Sequence, residues 1–575
     1  MGGCPVSAAG DLRAHPSPYL AMHAEDPVAW REWGPEVLAQ ARRENRLILV
    51  SVGYFACHWC HVMQRESWRD PQVGRLLNAA FIPVKVDREI AAALDARLQL
   101  FAERTRGFGG WPLNVFVTPE GYPLFALAYA PRDEFLRIAG ALDARWRKEG
   151  PRLAALAREA ARGPAASGKP PDWPTDFLDA ARRQADPLRG GFGAGSKFPM
   201  VPQLMALLDW ELRHPDAERR QWLLLTLEQM RDGGLRDHVA GGFFRYTVDP
   251  DWHEPHFEKM LYDNAQLALL YLRAGRGFAR ADLSRVGLET LDFMLAELAT
   301  GGAFAASLSA VDGRGEEGGA YLWQSESLRR LLNAREWRAA RRVWGLDGAR
   351  TFAAGYLPLW RRTPSGEEAG VLAAALGKLR AARSGRLRAA AIPRDGKVLA
   401  GWNGLALQAL SEASVQGPRY GDAARRLLET LRGRLWDGRR LLKGYVNDRR
   451  GGPRMLSEGE LEDYAYLAQG AWRWWERSRD PAARDFALEL ARAAWRDFST
   501  PGGLSLERGA LLAGTAADAW EDGYGPAPAA VLAALSVQSG DAGLSELALR
   551  AIVRARSQAI DYPLGRASLA VLPTP

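Results

Sequence analysis

Cysteine is nearly absent from this chain of 575 residues, which contains only Cys4, Cys57 and Cys60. A secreted protein stabilised by disulfides would contain many more, so that class is excluded. No apolar run reaches 18 residues, which predicts no transmembrane helix. Residues 1–15 contain neither a basic segment nor an apolar one, so no signal peptide is predicted. A reducing cytoplasm is the expected compartment, where a close cysteine pair indicates redox or metal chemistry.

Lysine is also scarce, since only 8 of the 76 basic residues are lysine and the others are arginine. The formal net charge is +8, but acidic residues are interspersed among the basic ones, as Glu336 is within residues 335–342. A nucleic-acid-binding protein would collect its basic residues on one stripe. We therefore expect no nucleic-acid partner and, without a transmembrane segment, no membrane partner.

The length of the chain exceeds what one hydrophobic core organises, so a multidomain protein is expected. Residues 161–174 are rich in proline, glycine and small side chains, which is typical of a linker. We therefore predict a first domain at 1–158, a linker at 159–174 and a second domain at 175–575.

The first domain has the pattern of a small mixed sheet covered by helices. Short apolar runs predict strands at 47–53 and 81–86 and a hairpin over 114–128. Helices are predicted at 35–44, 57–65, 70–78, 90–103 and 132–148. The order β-α-β-α-β-β-α indicates an α/β fold.

Helical periodicity dominates the second domain, where strand signals almost vanish. Candidate helices span 203–213, 219–232, 260–274, 281–298, 404–415, 423–435, 461–477 and 482–498. Glycine-rich turns follow one another at about 50–60 residues in the first part of this region, enough for a helical hairpin and a long loop. We predict an all-α (α/α)₆ toroid, with an irregular helical domain or an open solenoid as alternatives.

The segment Cys57-His58-Trp59-Cys60 follows a predicted strand and opens a predicted helix. A helix N-terminus presents unpaired N–H groups and a partial positive charge, which stabilise a thiolate on the first cysteine. The second cysteine is one turn away and can resolve a mixed disulfide, while a protonated His58 would add to the positive potential. Pro112, after Trp111, occupies the position at which thioredoxin-like folds hold a cis-proline. These four residues, Cys57, His58, Cys60 and Pro112, form the predicted redox site.

Three other interpretations of the cysteine pair stay open. The spacing from Cys57 to His61 is that of a c-type haem attachment signal, although no export signal accompanies it. A zinc site would use both cysteines and could use His61, but the sequence contains no second cysteine pair. The two thiols could also be packed and inert. We expect no cofactor and no metal, and protein thiols or disulfides as partners.

Several longer motifs are distributed over nearly the whole chain. They include Ser17-Pro-Tyr-Leu20, residues 57–63, Val86-Asp-Arg-Glu89, Gly109-Gly-Trp-Pro-Leu-Asn114, Gly190-Gly-Phe-Gly193, residues 255–266, Trp402-Asn-Gly404 and Glu462-Asp-Tyr464. These motifs resemble the spermatogenesis-associated protein 20 family. The resemblance implies a thioredoxin-like domain followed by a six-hairpin domain similar to those of glycosidases and N-acylglucosamine 2-epimerases. Ser51 departs from thioredoxins, which carry a buried aspartate at that position for proton transfer.

Polar and aromatic residues of the same motifs provide a candidate site in the second domain, with a small sugar as its possible ligand. Pro255 is expected to begin a helix on which His256, Lys259 and Asp263 share one face. A histidine near its ordinary pKa is a suitable general base at neutral pH. The candidate residues are Asp237, His238, Arg245, His256, Glu258, Lys259, Asp263, Trp402, Asn403, Asp463 and Tyr464, with Asp395 as a further acid.

Three interpretations of this polar set stay open: catalysis on a sugar, sugar binding without turnover, and a purely structural network. In the structural interpretation, Lys259 and Asp263 form an i,i+4 ion pair, and the aromatic residues belong to the core. The helical domain could also select protein clients for the cysteine pair.

Overall fold

The computed structural model describes residues 12–162, 169–348, 352, 354–389, 391–448, 452–514 and 516–573. The chain forms two compact units. The first contains Met1–Ala165, Leu442–Leu461 and Asp497–Asp518, and the second contains Ala166–Leu441, Glu462–Arg496 and Ala519–Pro575. Cys4 and the centre of the predicted linker, 163–168, lie outside the described residues. The predicted domain limits stay a prediction.

The first unit contains a four-stranded mixed sheet in the order β2-β1-β3-β4. The strands are β1 (Leu47–Gly53), β2 (Phe81–Asp87), β3 (Leu113–Val117) and β4 (Pro123–Leu127). Strands β1 and β2 are parallel, and β3 is antiparallel to β1 and to β4. Every residue of β1, β2 and β3 is buried, because helices cover the sheet, and this explains their continuous apolar sequences.

Five helices of six or more residues accompany this sheet in the predicted order, which confirms the α/β fold of the first unit; a further short helix, Pro18–Ala21, precedes them and was not predicted. They are α1 (Pro35–Glu44), α2 (His58–Met63), α3 (Pro71–Ala80), α4 (Ala92–Arg106) and α5 (Arg132–Ala160). The carboxylate of Asp70 accepts two N–H groups at the start of α3, as its position before Pro71 predicts. A single π-helical turn, Gln64–Trp68, follows α2 and was not predicted.

Two segments from late in the chain complete the first unit. The carboxylate of Glu460 accepts the backbone N–H groups of Ala92 and Ala93 at 3.1 and 3.2 Å, which compensates the start of α4. Arg97 of the same helix pairs with Glu507 at 3.3 Å. Helix α4 has no capping side chain of its own, so a distant carboxylate takes that role.

The second unit is mainly helical, as predicted. Its helices are α6 (Thr175–Gln184), α7 (Val201–Arg213), α8 (Ala217–Asp232), α9 (Leu261–Gly277), α10 (Ala281–Phe293), α11 (Ser325–Leu331), α12 (Ala334–Trp344), α13 (Gly366–Ala389), α14 (Ala400–Ala413), α15 (Pro418–Leu435), α16 (Leu461–Ser478), α17 (Pro481–Phe498), α18 (Pro528–Gln538), α19 (Ala542–Arg556) and α20 (Ala567–Ala570). Within the described ranges, no helix combines the length and the hydropathy needed to span a bilayer.

These helices form a closed ring of hairpins, which confirms the predicted toroid. Helices α7 and α8, α9 and α10, α14 and α15, and α18 and α19 pack as pairs, and α9 packs on both α7 and α14. Gly404 of α14 has no room for a Cβ because the backbone at Tyr466 of α16 is too close. The Tyr466 hydroxyl donates to the carbonyl of Pro526, just before α18. Gln203 of α7 donates to the carbonyl of Leu564, which closes the ring.

Short strands lie between the helices, although almost none were expected in this part of the sequence. The paired segments are Tyr246–Thr247 with Pro255–His256, Ser307–Leu308 with both Lys259–Met260 and Arg394–Asp395, and Ala299–Thr300 with Ala303–Phe304. The other strands in the later part of the chain are Lys397–Leu399, Gly444–Asp448, Gly452–Met455, Ser499–Thr500 and Gly503–Leu504. The strands of two or three residues are too short to produce an alternating sequence pattern, which is why these short strands were missed.

Candidate functional site

Cys57 and Cys60 form a disulfide at the N-terminus of α2. Cys57 is the N-cap residue, and its Sγ accepts the backbone N–H of Cys60 at 3.1 Å. A sulfur at this position meets the positive end of the helix, which favours its thiolate form after reduction. Both cysteines are buried, whereas Trp59 between them is 42% exposed. The predicted pair is thus adjacent in space, and the residue between the two cysteines is exposed.

Aromatic and charged residues adjoin the disulfide. The Trp111–Pro112 peptide bond is cis, as its position predicted. The Trp111 ring packs edge-on against Tyr54, whose carbonyl accepts the Cys57 N–H at 3.3 Å. The Arg88 guanidinium lies over both aromatic rings, at 4.5 Å from the centre of the Tyr54 ring and 4.2 Å from the centre of the Trp111 ring. These contacts tie the segment that bears Pro112 to the segment that bears the cysteines.

The two histidines of the motif have different surroundings. His58 packs edge-on against Trp59, with 5.4 Å between the ring centres. His61 Nε2 lies 2.8 Å from the carbonyl oxygen of Phe55, so this nitrogen is engaged by the backbone. A disulfide and a pair of metal-bound thiolates are different states of the same two sulfurs, and the structure contains the disulfide.

A buried lysine that the sequence-based prediction missed lies close to this site. Lys85 of β2 is 1% exposed, and its Nζ donates to Ser51 Oγ at 3.1 Å. The ammonium also lies 5.4, 4.9 and 5.0 Å from the ring centres of Tyr19, Trp30 and Trp68. Burial lowers the pKa of Lys85 to about 7, against a weaker opposing effect of the Asp26 charge. A single lysine within an apolar strand was the available sequence signal.

A buried His–Asp pair adjoins this lysine. His23 Nδ1 lies 2.6 Å from Asp26 Oδ2, and the same carboxylate accepts Trp30 Nε1–H at 3.0 Å and the Gln64 amide at 3.2 Å. Burial, and then the charge of Lys85, lower the pKa of His23 to about 3, so its ring is neutral near pH 7. Gln64 directly follows α2, so this network connects residues 17–30 to the cysteine helix.

The candidate residues of the second unit fall into separate groups, of which the first surrounds Asp237. This carboxylate pairs with Lys259 Nζ at 2.7 Å and with the Arg383 guanidinium at 2.8 Å, and all three side chains are buried. The two cations more than offset the effect of burial and lower the pKa of Asp237. His238 Nε2 contacts the carbonyl oxygens of Asp232 and Gly233 at 3.1 and 3.0 Å. The group lines a cavity of about 1170 Å³.

The prediction that a helix begins after Pro255 is wrong. Helix α9 begins at Leu261, whereas His256 and Lys259 lie in short strands and so do not share a helical face with Asp263. The expected ion pair between Lys259 and Asp263 is wrong as well, because the ammonium binds Asp237. Backbone pairing of Lys259 with Leu308 holds this segment extended.

The contacts of Asp237 recur in the preceding hairpin. Lys197 Nζ binds Asp186 at 2.9 Å and the carbonyl of Gly190 at 3.1 Å. Lys259 makes the equivalent contacts, to Asp237 and to the carbonyl of Gly241 at 2.8 Å. Both aspartates begin the sequence Asp-x-x-x-Gly-Gly-Phe. The repetition favours a structural role for the Asp237–Lys259 pair.

A second group, the Tyr262 cluster, consists of Arg245, Glu258, Tyr262, Trp402, Glu462 and Tyr524. Arg245 donates from Nε to the Tyr262 hydroxyl at 3.1 Å, and its guanidinium forms an ion pair with the Glu258 carboxylate at 3.5 Å. The Tyr262 ring lies 4.7 Å from Trp402 and 4.6 Å from Tyr524. Trp402 Nε1–H donates to the Tyr524 hydroxyl at 3.1 Å, and this hydroxyl in turn donates to the Glu462 carboxylate. Tyr524 was missed because its contacts are to residues far away in sequence.

A third group, the His256 cluster, consists of Phe198, Tyr246, His256 and Glu317. His256 Nδ1 lies 2.6 Å from Glu317 Oε1. Burial alone would lower the pKa of His256, but the hydrogen bond and charge of Glu317 raise it above its ordinary value. The His256 ring lies 4.9 Å from Tyr246, on which the 42% exposed ring of Phe198 stacks at 4.5 Å. The cluster combines a His–carboxylate pair with an exposed aromatic face.

The remaining candidates satisfy backbone groups. Asn403 accepts the N–H of Phe304 at 2.9 Å and donates to its carbonyl at 3.0 Å. Asp463 accepts the Gly401 N–H at 3.0 Å, and the Tyr464 hydroxyl accepts the Leu441 N–H at 2.8 Å. Asp395 pairs with Lys397 at 2.9 Å in full burial. Each of these side chains therefore has a partner within the protein.

Asp249, Asp251 and His253 form a possible cation-binding group, since their ligand atoms lie within 4.8 Å of one another. The Asp249 carboxylate already accepts the N–H groups of Asp251 and His253 at 2.9 and 3.1 Å. These hydrogen bonds indicate a turn stabilised by an aspartate.

The stability of the chain is expected to depend on the protonation of His238. Burial, and then the charge of Arg236, lower the pKa of His238 to about 4, so the unfolded chain binds a proton between pH 6.5 and 4 that the folded chain does not. Stability therefore falls as the pH falls through this window, by about 2 kcal/mol between pH 7.5 and 5. Chemical unfolding of His238→Gln should show a smaller fall than the unmodified chain, and an identical fall would contradict the assignment.

Comparisons with known proteins found similar sequences and similar solved structures. A family model described as "Thioredox_DsbH: Protein of unknown function, DUF255" matches residues 9–162. A sugar epimerase from a ruminal bacterium aligns with 70% of this chain and 96% of its own, with a TM-score of 0.46 and 11% identity.

Two mammalian proteins match most of the chain. Spermatogenesis-associated protein 20 from Mus musculus is 32% identical over 569 residues, which cover 85% of this chain and 69% of the mouse protein. The protein of the same name from Homo sapiens is 32% identical over 584 residues, covering 89% of this chain and 73% of the human protein. Identity over so much of both chains shows that this chain belongs to the spermatogenesis-associated protein 20 family.

Proposed function

We propose that Cys57 and Cys60 exchange thiols and disulfides with protein clients. The observation that carries this proposal is their disulfide at the N-terminus of α2, where the Cys57 sulfur accepts the Cys60 N–H. The exposed ring of Trp59, which lies 5.1 Å from Tyr129, offers an apolar contact for a client segment. In a reducing cytoplasm, the location that we propose, such a pair would alternate between its disulfide and dithiol forms.

The exchange proceeds in two steps from the dithiol form. The Cys57 thiolate attacks one sulfur of a client disulfide, forms a mixed disulfide and releases the other client sulfur as a thiolate. Cys60 loses its proton and attacks the Cys57 sulfur, so that the electron pair of the mixed disulfide leaves on the client. The client disulfide is reduced, and the cysteine pair is oxidised to the observed disulfide. Two molecules of a small-molecule thiol then restore the dithiol and leave as their own disulfide. The reverse sequence oxidises a client dithiol.

Trapping of mixed disulfides tests this proposal. In a full-length chain with Cys4→Ser to remove the third thiol, Cys60→Ser is expected to accumulate adducts through Cys57, because the resolving thiol is missing. The adducts are counted after non-reducing electrophoresis of cell extract. The matched control is the same chain with Cys57→Ser as well. Equal numbers of adducts in the two variants, together with an unreactive Cys57 in thiol labelling, would contradict the proposal.

As a second candidate function, we propose that the second unit binds a small sugar at the His256 cluster. The specific observation is the exposed Phe198 ring, stacked on Tyr246 beside the His256–Glu317 pair. An exposed aromatic face can cover the apolar face of a sugar ring, and a paired histidine can accept a proton from it. The Tyr262 cluster adjoins this surface, because the Arg245 guanidinium lies 5.8 Å from the centre of the Tyr246 ring. Selection of protein clients by the second unit is the competing role.

A saccharide screen tests this second candidate. A bound mono- or disaccharide is expected to raise the midpoint of thermal unfolding, since binding stabilises the folded chain by mass action. Phe198→Ala should remove this rise, whereas Leu188→Ala, at an exposed residue outside the cluster, should retain it. The same panel is assayed for epimerisation. No thermal shift and no turnover across the panel would contradict a sugar site.

A further inference from the structure

The cysteine pair and Lys85 lie on one face of the sheet. Side chains of alternate residues in a strand point to the same face, so Ser51 shares a face with Gly53. A Cβ on Gly53 would lie 2.2 Å from the Tyr19 hydroxyl oxygen and 2.8 Å from Cys60 Sγ. The phenol oxygen and the sulfur are therefore neighbours over this face. The parallel register places Lys85 beside Ser51, and the Lys85 ammonium donates a hydrogen bond to the Ser51 hydroxyl at 3.1 Å.

The absence of a side chain at Gly53 is what allows this approach. Any other residue would insert its Cβ into the space that the Tyr19 oxygen and the Cys60 sulfur occupy. The Tyr19 ring in turn lies 5.4 Å from Lys85 Nζ. Tyr19 thus lies close to the Cys60 sulfur through its hydroxyl and close to the Lys85 ammonium through its ring.

The surroundings of Lys85 make its charge effective at short range. The side chain is enclosed by Tyr19, Trp30 and Trp68 and is almost inaccessible to water. Charges interact more strongly in such surroundings than in water. Ser51, the direct partner of the ammonium, carries no charge that would neutralise it.

We propose that Lys85 is a positioning residue that controls the protonation of Cys60 through Tyr19. This inference rests on the proposed exchange and specifies how its second step occurs. As an ammonium, Lys85 stabilises the Cys60 thiolate. As an amine, it accepts the Cys60 proton through the Tyr19 hydroxyl when the Cys60 sulfur attacks Cys57. The departing client thiolate takes a proton from water, so that charge and protons balance.

The other titratable groups near Lys85 permit this role, and the buried carboxylate of Asp87, two residues further along β2, accepts the Ser17 hydroxyl at 2.6 Å. His23 is neutral near pH 7 and therefore adds no positive charge. The Asp26 carboxylate is hydrogen-bonded to His23 and Trp30, and its negative charge partly compensates the positive charge of the Lys85 ammonium. His61, on the cysteine helix, has its Nε2 at the Phe55 carbonyl. The lowered pKa of Lys85, about 7, makes both of its forms accessible near neutral pH.

Titration of Cys60 tests the inference. The full-length chain with Cys4→Ser and Cys57→Ser retains one cysteine, and its thiolate is followed by ultraviolet absorbance against the same chain with Cys60→Ser. Adding Lys85→Met is expected to raise the pKa of Cys60 by at least about one unit, a tenfold change in the thiolate fraction. Lys85→Arg retains the charge and should keep the pKa low. Ser51→Asp places a carboxylate beside the ammonium and should raise it.

Two controls make the outcome decisive. Near-ultraviolet circular dichroism verifies that each variant is folded, and Ser51→Asp provides the test if Lys85→Met does not fold. An unchanged Cys60 pKa in the folded variants would overturn the inference, whatever the activity of the unmodified chain. If the pKa shifts but the unmodified chain exchanges no disulfides, the proposed function fails and the role of Lys85 in the protonation of Cys60 stands.

Discussion

Replacing Cys57 by serine is expected to slow exchange with glutathione disulfide by at least about 100-fold, whereas replacing Cys60 should change the first step by less than about tenfold. The attacking species is a thiolate, and a serine hydroxyl is not ionised at neutral pH. The helix N-terminus favours the anion at Cys57 because its N–H groups and partial positive charge face that sulfur. Cys60 is inside the first turn and enters only in the second step.

The measurement is a single-turnover reaction of the reduced full-length chain carrying Cys4→Ser, quenched by alkylation and read by mass spectrometry. Each variant is compared with this parent at the same pH. Equal rates for the Cys57 and Cys60 variants would contradict the assignment of the nucleophile. A faster first step at Cys60 would reverse the two roles.

Asp237→Ala is expected to lower the free energy of unfolding of the second unit by about 3–5 kcal/mol. The change leaves Lys259 and Arg383 as two adjacent cations without their shared carboxylate, in a region where both side chains are nearly inaccessible to water. Removing one partner of a buried ion network costs far more than the network contributes, because the remaining charges are poorly solvated. The pKa of Asp237 is lowered, so its contribution would also disappear in strong acid, once the carboxylate is protonated.

Chemical unfolding followed by fluorescence measures this loss. The matched control is Asp251→Ala, which removes the exposed partner of Arg189 in the same unit. An exposed pair contributes about 0–1 kcal/mol, so the control should unfold almost as the unmodified chain does. A loss below about 1 kcal/mol for Asp237→Ala would contradict a structural role for this network.

The fold of the first unit could be predicted because its signals are local. Strands β1 and β2 are continuous apolar runs between turn residues, and Asp70-Pro71 marks the start of α3. The role of Glu460 at the start of α4 could not be predicted in this way. Nothing in a local window relates two segments so far apart in the chain.

The second unit shows where periodicity is insufficient. Helix α9 was predicted correctly at 260–274, whereas the separate expectation of a helix from Pro255 was wrong. Proline is a common first residue of helices, and two-residue strands leave no sequence pattern. The sequence identified the polar residues of this unit, but it did not identify the groups to which they are hydrogen-bonded. Asn264 holds both backbone groups of Phe243, as Asn403 holds those of Phe304, and this equivalence depends on three-dimensional contacts.

The cysteine site was the part best predicted, except for the buried lysine close to it. The pair, its helix and the cis bond before Pro112 follow from local sequence. The replacement of the thioredoxin aspartate by Ser51 indicated only a missing proton relay. The neighbouring strand supplies Lys85 at that position, and only the parallel register of β1 and β2 reveals it.

Reversible redox titration of the Cys57–Cys60 pair tests the central claim most directly. The folded full-length chain with Cys4→Ser is equilibrated in buffers of increasing dithiol-to-disulfide ratio, starting from either the oxidised or the reduced form. Differential alkylation and mass spectrometry then report the fraction of disulfide. We predict one two-electron transition that is identical from both directions and occurs without unfolding. A pair that stays in one state throughout, or changes only when the chain unfolds, would contradict a redox function.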